Sequence, residues 1–357
     1  MTIFELLTAN NFVTYFDKAN QVQDYKMEAK FPTQKSNSLT VQMVKGRAGL
    51  PVVLEPSAFD ANPTLREKVG ISKMYHDLPF FREADRYGEK EIMDMNDAVQ
   101  LGRDNDALNI MQNLFDYQGE LVRGAFARLE QMRWQVVLTG GISVQGDLDK
   151  QNNSLYRLNF DDASGTWASN NVVTLASTDK WDAGDEAGNP IEDIEDIITD
   201  AKDNGVELAE AYMNTTTFRA MMNHPTVTSL INPNGVLLTN VQKEQIMSDY
   251  LGIKFIVYDG RYSAKNETTG LYETFKFIPD GVVSLQPAGT LGKTYMGATP
   301  ESLGVIQSPE VQMTEYKGLS ILRYQEGLAP INHMYVVSFL GMPSFEAMDS
   351  VYKLVAF

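Results

Sequence analysis

The sequence predicts an α+β fold, in which sheets and helices are mixed without a regular alternation of strand and helix. Two observations carry this prediction. Between residues 30 and 91 the apolar residues never take up helical spacing, and in several stretches they alternate with polar ones, as in a β-strand. Between residues 97 and 138 there is no proline, and apolar residues recur every three or four positions, as along one face of a long helix.

The first part of the chain predicts a two-stranded extended arm. Large apolar residues occupy every second position at 39–43 and at 50–54, and the same period of two recurs beyond a turn at Asn62-Pro63, at 74–80. A two-stranded ribbon with no third layer to pack on is marginal in water. The sequence therefore predicts that the arm packs on another chain, in a subunit that interlocks with copies of itself.

The long helix that follows has one apolar face. Its stripe consists of Met111, Phe115, Val122, Ala125, Leu129, Met132 and Val136, with Gln118 as a polar interruption. Charged residues, among them Glu130, are expected on the other faces. About 40 residues at 1.5 Å each would make a rod of roughly 60 Å. A helix laid across a sheet is favoured over a coiled-coil stalk, because the flanking charges do not follow a heptad pattern.

Glycines mark the middle and the end of this helix. Gly119 and Gly124 each cost on the order of 1 kcal/mol relative to alanine, so tertiary contacts must stabilise the middle. Gly140-Gly141 is expected to end it.

Shorter elements follow. Strands are predicted at 155–160, 172–175, 254–258, 274–278, 282–285, 333–340 and 350–357, and helices at 191–204, 214–223 and 239–251. Pro190 and Gly205 bound the first of these helices, and acidic residues in its first turns suit the helix dipole. Thr215 to Thr217 are expected to cap the second.

Composition limits the function. With 357 residues the chain is long enough for two or more cores, and its net charge of −17 argues against a basic nucleic-acid-binding surface. The absence of cysteine excludes disulfides, thiolate metal sites and a cysteine nucleophile. No basic signal-peptide region and no apolar run of membrane-spanning length occur, so an intracellular protein with no membrane step is expected.

One stretch resembles the end of a phosphate-binding loop. Gly292-Lys293-Thr294 follows a predicted strand, but the Walker pattern requires glycine where this chain has Pro287. Proline lacks the backbone donor and the freedom that such a loop needs. A turn between two elements is the favoured interpretation.

The other candidates for chemistry are equally poor. The histidines have no partner at metal-ligand spacing; they are His76, His224 and His333. Asp147 and Asp149 begin a calcium-loop-like stretch, but Asn152 and Leu158 stand where glycine and glutamate are needed, and the acidic run at 182–188 also lacks these features. A weak ion site in these loops stays open. The sequence predicts no catalytic, cofactor-binding or metal-binding residue, and hence a structural, non-enzymatic protein.

Several stretches, taken in order, carry a resemblance to a known family. They are ELLTAN at 5–10, FPT at 31–33 with the strand at 39–44, GLPVVLEP at 49–56, the strand at 74–81, the helix at 102–138, the segment 280–297 with its LGKT, and PSFEAMDSVYK at 343–353. Over nearly its whole length the chain resembles major capsid proteins of tailed bacteriophages, of the lambda capsid protein E type. Their fold is the phage capsid (Johnson) fold.

The resemblance implies a domain order. It consists of an N-terminal arm (1–35), a strand with an extended β-hairpin loop (36–90), a peripheral domain with the long spine helix (91–195), an axial domain (196–330) and a C-terminal return to the peripheral domain (331–357). The implied function is that of the major head protein, which self-assembles in the host cytoplasm into an icosahedral shell around packaged double-stranded DNA. Hexamers and pentamers would make up this virion capsid.

The resemblance also implies partners. A portal protein and a separate scaffolding protein are expected, because about 35 residues before the extended loop are too few for a fused scaffolding domain. A decoration protein is left open, and the DNA would be enclosed without sequence-specific binding. Maturation of the procapsid would move the arm and the spine helix. Some relatives cross-link a loop lysine to a neighbour, but nothing marks Lys68 or Lys73 as reactive.

Two other classes of function remain. An encapsulin-like nanocompartment shell protein would share the fold and enclose a cargo enzyme instead of a genome. An acidic α+β enzyme ranks last, because no cluster of polar catalytic residues can be assembled from the sequence.

Overall fold

The structure is a computed structural model. It describes residues 9–19, 24–45, 72–100, 104–145, 155–161, 165–182, 188–231, 238–265, 269–304, 311–327 and 330–357. The helices are α1 (Ala9–Ala19), α2 (Glu89–Gln100), α3 (Asp104–Thr139), α4 (Thr166–Asn170), α5 (Pro190–Asp203), α6 (Thr215–Asn223), α7 (Pro225–Ile231) and α8 (Asn240–Leu251). Together with the strands given next, these helices confirm the α+β prediction.

The strands form two large sheets and three hairpin-like pairs. They are β1 (Thr33–Ser36), β2 (Thr40–Lys45), β3 (Ser72–Asp77), β4 (Phe80–Tyr87), β5 (Gly141–Gln145), β6 (Leu155–Asn159), β7 (Val172–Thr174), β8 (Leu208–Met213), β9 (Lys254–Val257), β10 (Arg261–Lys265), β11 (Tyr272–Lys276), β12 (Val282–Pro287), β13 (Thr294–Gly297), β14 (Gln312–Tyr316), β15 (Leu319–Glu326), β16 (Asn332–Pro343) and β17 (Tyr352–Val355). The separate pairs are β2–β3, β5–β6 and β10–β11.

Sheet I has six strands in the order β1-β13-β16-β15-β14, with β4 also paired to β16. Its central strand β16 is antiparallel to β4, β13 and β15. Helix α3 packs on β16, and α1 packs on β14 and β15. These contacts enclose core one, the larger cluster of buried apolar side chains, which includes Phe12, Leu129, Met132 and Phe339.

The long helix α3 confirms the helical prediction and its orientation across a sheet. It has 36 residues, about 54 Å at 1.5 Å per residue. The described members of the predicted stripe, from Phe115 to Val136, are all buried. The helix ends where expected, because Gly140 takes a left-handed φ of 69°. Residues 97–100 belong instead to α2, a helix that the sequence did not predict.

Sheet II has five strands in the order β7-β17-β12-β8-β9. Helices α5 to α8 cover one face and enclose core two. In α5 the predicted apolar face is confirmed, since Ile194, Ile197 and Ala201 are buried, and the Asn189 side chain caps the helix by accepting from the Ile191 amide.

Alternate residues of sheet II face different cores. On β12, Val283 and Leu285 belong to core two, whereas Val282 belongs to core one. On β8, Met213 belongs to core two and Tyr212 to core one. Sheet II therefore lies between the two cores.

One predicted strand is two strands. The alternation at 74–80 is broken at Leu78-Pro79, where β3 ends and β4 begins. Proline cannot donate a ladder hydrogen bond, and Leu78 is buried in core one. Strand β4 then joins sheet I, so it belongs to the body of the subunit and not to an extended arm.

Three local predictions need correction. Asn214, and not the threonines after it, caps α6 by accepting a hydrogen bond from the Thr217 amide. The strand predicted at 350–357 is confined to β17, because Met348–Ser350 forms a 3₁₀ turn. The strand expected at 274–278 is β11, which starts and ends two residues earlier.

Candidate assembly site

Strands β2 and β3 form a separate two-stranded hairpin that packs on core one. The two strands are antiparallel, with Thr40 opposite Asp77 and Lys45 opposite Ser72. The inner face of β2 is buried in core one through Val41 and Met43. The base of the arm therefore packs on its own subunit, which corrects the expectation that the whole arm lacks a third layer.

Polar contacts fasten the base of this hairpin. The Leu78 amide donates to the carbonyl oxygen of Leu39 (2.9 Å). The Thr40 hydroxyl donates to the Asp77 carboxylate (2.7 Å), and the Tyr156 hydroxyl donates to the Asp77 carbonyl (3.1 Å). These hydrogen bonds hold the end of the hairpin at Thr40 and Asp77 in one position.

Two large apolar side chains of the hairpin are exposed: Tyr75, on the face opposite Val41 and Met43, and Leu39, just before β2. Leu39 is 66% exposed and Tyr75 is 63% exposed. The chain between the two strands, including the predicted alternation at 50–54 and Lys68, lies outside the described residues. A fastened base with exposed apolar side chains fits a contact region for another chain.

His76 of β3 lies beside Phe160, the residue that follows β6. Their ring centroids are 6.3 Å apart in an edge-on arrangement. Burial lowers the pKa of His76. The other two histidines lie elsewhere: His224 contacts the Thr226 hydroxyl (2.8 Å), and His333 pairs with Tyr87 and Gln325 in sheet I. The three histidines are therefore not brought together.

Two further elements expose large apolar side chains. Leu271 and Tyr272, at the start of β11, are 68% and 78% exposed. On α8 the exposed apolar residues are Val241, Ile246 and Tyr250. Exposed apolar side chains on separate elements favour contacts with more than one neighbour.

Inside the subunit, residues 24–32 form a strap between the long helix and sheet II. The Met27 amide donates to Oε1 of Glu130 (3.0 Å), which also accepts from the Trp134 indole (3.0 Å). Arg133 lies 3.4 Å from the other carboxylate oxygen. Glu130, which the sequence places on a face other than the apolar stripe, is fully buried, so the strap covers this other face as well. The spacing of Glu130 and Trp134 by one helical turn is the sequence signal that was missed.

The strap also reaches sheet II. Lys30 Nζ lies 2.7 Å from the Glu210 carboxylate and donates to the Pro287 carbonyl (2.9 Å). Glu210 also accepts from the Tyr212 hydroxyl (2.9 Å). Burial acts to raise the pKa of Glu210, but the hydrogen bonds from Lys30 and Tyr212 outweigh it, so this pKa is lowered.

The loop resembling a phosphate-binding loop has its backbone groups occupied. The Leu291 amide donates to the Lys30 carbonyl (2.9 Å), and the Lys293 amide donates to Oγ of Ser344 (2.9 Å). A Cβ at Gly292 would lie 2.3 Å from the Ser344 carbonyl oxygen, so this glycine allows close packing of two chain segments. Thr294 begins β13, which confirms the turn between two elements.

Within the described residues, no group of three or more histidine and acidic side chains is arranged to hold a metal ion. Of the two acidic loops, 146–154 and most of 182–188 lie outside those residues. No described helix is both long and apolar enough to cross a membrane.

The sequence profile of one family decides what this chain is. The family is described as phage major capsid protein E, and its profile matches residues 8–312. This chain belongs to that family. It is a phage major capsid protein, a shell subunit of the virion that associates with copies of itself. The recognition made from the sequence is confirmed.

Solved structures similar to this capsid protein share its fold. A crystal structure assigned as a prophage capsid protein from E. coli CFT073 has a TM-score of 0.59 and 13% identity, covering 98% of this chain and 99% of that one. A phage-related protein from Bordetella bronchiseptica RB50 has a TM-score of 0.53 and 13% identity, covering 97% and 96%. The phage capsid fold predicted from the sequence is thereby confirmed.

A weaker likeness concerns encapsulins. The SrpI encapsulin complex from Synechococcus elongatus PCC 7942 has a TM-score of 0.41 and 10% identity, covering 94% of this chain and 89% of that one. At that level the likeness carries no argument about function. Among curated proteins, no sequence matches this capsid protein.

Proposed function

We propose that this capsid protein assembles in the host cytoplasm, as hexamers and pentamers, into an icosahedral shell that encloses the packaged double-stranded DNA of a tailed phage. The observation that carries the proposal is the β2–β3 hairpin, which is fastened at its base and exposes Leu39 and Tyr75. Repeated contacts between unlike surfaces, arranged around rotation axes, close into a symmetric shell.

The division into domains is also a proposal. The boundary at 195/196 falls within α5, and strands β13 to β15 pack in core one although they precede residue 330. We therefore assign core one, with sheet I and α3, to the peripheral domain, and core two, with sheet II and α5 to α8, to the axial domain. Strand β17 then belongs to the axial domain and β16 to the peripheral domain.

A separate scaffolding protein and a portal are proposed as assembly partners. Large apolar side chains are exposed on the hairpin, on β11 and on α8, so subunits could pair in several geometries. An external template would select the curved arrangement, and a portal would give assembly a starting point. A decoration protein is not required by these contacts.

The packaged DNA would meet a wall that binds it weakly. The net charge of the chain is −17, and like charges repel the phosphate backbone. We propose a purely structural role, without catalysis and without sequence-specific contact to DNA. This fits the scattered placement of the histidines among the described residues.

Expression with and without the neighbouring genes tests the assembly proposal. We expect the protein co-expressed with its scaffold to elute in the void volume of a sizing column and to show hollow, uniform particles by negative stain. Well-formed shells from this chain alone would contradict the need for a scaffold. A shell that encloses a host enzyme instead of DNA would favour the encapsulin alternative.

A further inference from the structure

A polar seam lies between α3 and sheet II, whose other face carries core two. On the core-one face of sheet II, Ser284 and Gln286 of β12 are fully buried, on the same side of the strand as Val282. Across from this face lies α3, whose Trp134 ring contacts the Tyr212 ring at a centroid distance of 5.7 Å. We define the polar seam as Glu130 and Arg133 of α3 together with Glu210, Tyr212, Ser284 and Gln286 of sheet II.

The strap, residues 24–32, is bonded to the core-one side of this seam. The Met27 amide donates to Glu130 (3.0 Å). The Phe31 carbonyl accepts from the Thr294 hydroxyl (2.9 Å), and the Pro32 carbonyl accepts from the Thr294 amide (3.0 Å). Arg133 donates to that same Thr294 hydroxyl oxygen (3.1 Å), which links the strap to α3 and β13 at once.

The same segment is bonded to the sheet-II side. Lys30, whose side chain is only 8% exposed, contacts Glu210 (2.7 Å) and the Pro287 carbonyl (2.9 Å). The Lys30 carbonyl accepts from the Leu291 amide (2.9 Å), which lies between β12 and β13 and has its side chain in core one. Glu210 belongs to β8 and Pro287 to β12, so one lysine bridges two strands of sheet II.

We propose that the strap is a clasp, which fixes the position of core two relative to core one across the polar seam. Opening the clasp would let the two halves of the subunit shift as rigid bodies, the usual form of shape change in packed proteins. Apolar surfaces adhere in many arrangements, whereas buried ion pairs and hydrogen bonds are directional and favour one register. Lys30 is the positioning residue of the clasp, because it joins the strap to sheet II.

A distance measurement between the cores tests this proposal. The chain has no cysteine, so Tyr117→Cys on α3 and Val241→Cys on α8 give two unique spin-label positions, 65% and 74% exposed in the native chain. Labelled protein is diluted with unlabelled protein so that distances within one subunit dominate. We expect one narrow distance distribution for the otherwise native chain, and a broadened or double distribution when Lys30→Met is added.

Two further variants make the result specific. Lys26 lies in the strap but pairs with Asp24 at the surface, so Lys26→Met should leave the distribution narrow. Glu210→Gln keeps the volume of the side chain and removes the charge that Lys30 meets, so it should broaden the distribution as Lys30→Met does. Distributions of Lys30→Met and Glu210→Gln that overlay the native one would overturn the proposal.

Hydrogen exchange on the native chain tests whether the clasp opens locally, even if both variants fail to fold. The amides of Met27, Leu291 and Thr294 are bonded within the clasp. A clasp that opens locally lets them exchange at least about tenfold faster than the β12 amides of Val283 and Leu285. Equal rates for the two sets would mean that the strap opens only when the whole subunit unfolds, which would contradict the proposal.

Discussion

At the scale of single residues, buried charge is the notable feature of this subunit. Glu130 and Arg133 lie on α3 with almost no exposed surface, and each satisfies the other while also contacting the strap or β13. Buried ion pairs add little net stability over apolar residues, but removing one partner leaves an unpaired buried charge. These residues therefore respond strongly to single substitutions.

We expect Glu130→Ala to destabilise the subunit by about 3–5 kcal/mol, because it leaves the buried charge of Arg133 without its carboxylate partner and removes the acceptor of the Met27 amide. Chemical denaturation gives the free energy of unfolding. The matched control is Glu120→Ala on the same helix, where an exposed carboxylate pairs with Arg123 at 2.8 Å and should contribute at most about 1 kcal/mol. Equal losses for the two variants would contradict the buried role of Glu130.

The pair of Lys30 and Glu210 should make stability depend on acid. The lowered pKa of Glu210, which Lys30, Tyr212 and Lys254 all favour against the opposing effect of burial, lies below its unfolded-state value of about 4.3. Its contribution is therefore fully present above about pH 4.3 and is lost as the pH falls through the folded-state pKa. We expect the difference in unfolding free energy between the native chain and Lys30→Met to be constant near neutrality and to shrink in acid. A difference that grows in acid would refute this assignment.

At the scale of elements, the long helix depends on two glycines with opposite roles. A Cβ at Gly140 would lie 2.9 Å from the Met348 side chain, and the residue needs a φ of 69°. Gly124, within α3, has open space around it. We expect Gly140→Ala to destabilise the subunit by about 1 kcal/mol or more and Gly124→Ala to stabilise it by roughly 0.5–1 kcal/mol. Thermal unfolding of both variants checks the signs, and shifts in the same direction would count against this account of the helix.

Substitutions in the β2–β3 hairpin distinguish effects on folding from effects on assembly. Leu39→Ser with Tyr75→Ser changes only exposed side chains, so the unfolding free energy should change by no more than about 0.5 kcal/mol for each substitution, while the yield of shells falls. Met43→Ala changes the buried inner face of the same hairpin and should cost about 2–5 kcal/mol. Full shell formation by the double variant would exclude Leu39 and Tyr75 as contacts between subunits.

The sequence predicted those elements whose pattern is local. The spacing of apolar residues located α3. The bounds of α5 lie within one residue of those predicted from Pro190 and Gly205, and Asn189 caps its start. Helix α2 was missed because its residues follow directly on a strand-like stretch. The strap was missed because the partners of Met27 and Lys30 are distant in the sequence, and no local pattern links a buried charge to a partner on another element.

At the scale of the whole molecule, the subunit combines two cores with large apolar side chains that are exposed on several elements. These side chains lie on the hairpin, on β11 and on α8, whereas the proposed clasp joins the two cores. Forces applied to a subunit by its neighbours would therefore reach the polar seam through rigid elements. The family, and with it the shell, was recognisable from the order of weak signatures along the chain; the contacts that position its two halves were not.

Electron cryo-microscopy of the particles formed with the neighbouring genes tests the shell proposal. We expect a closed icosahedral shell in which Leu39 and Tyr75 of each subunit lie against an adjacent subunit. A monomer or dimer under those conditions, or a shell in which both side chains stay exposed to solvent, would contradict the proposal.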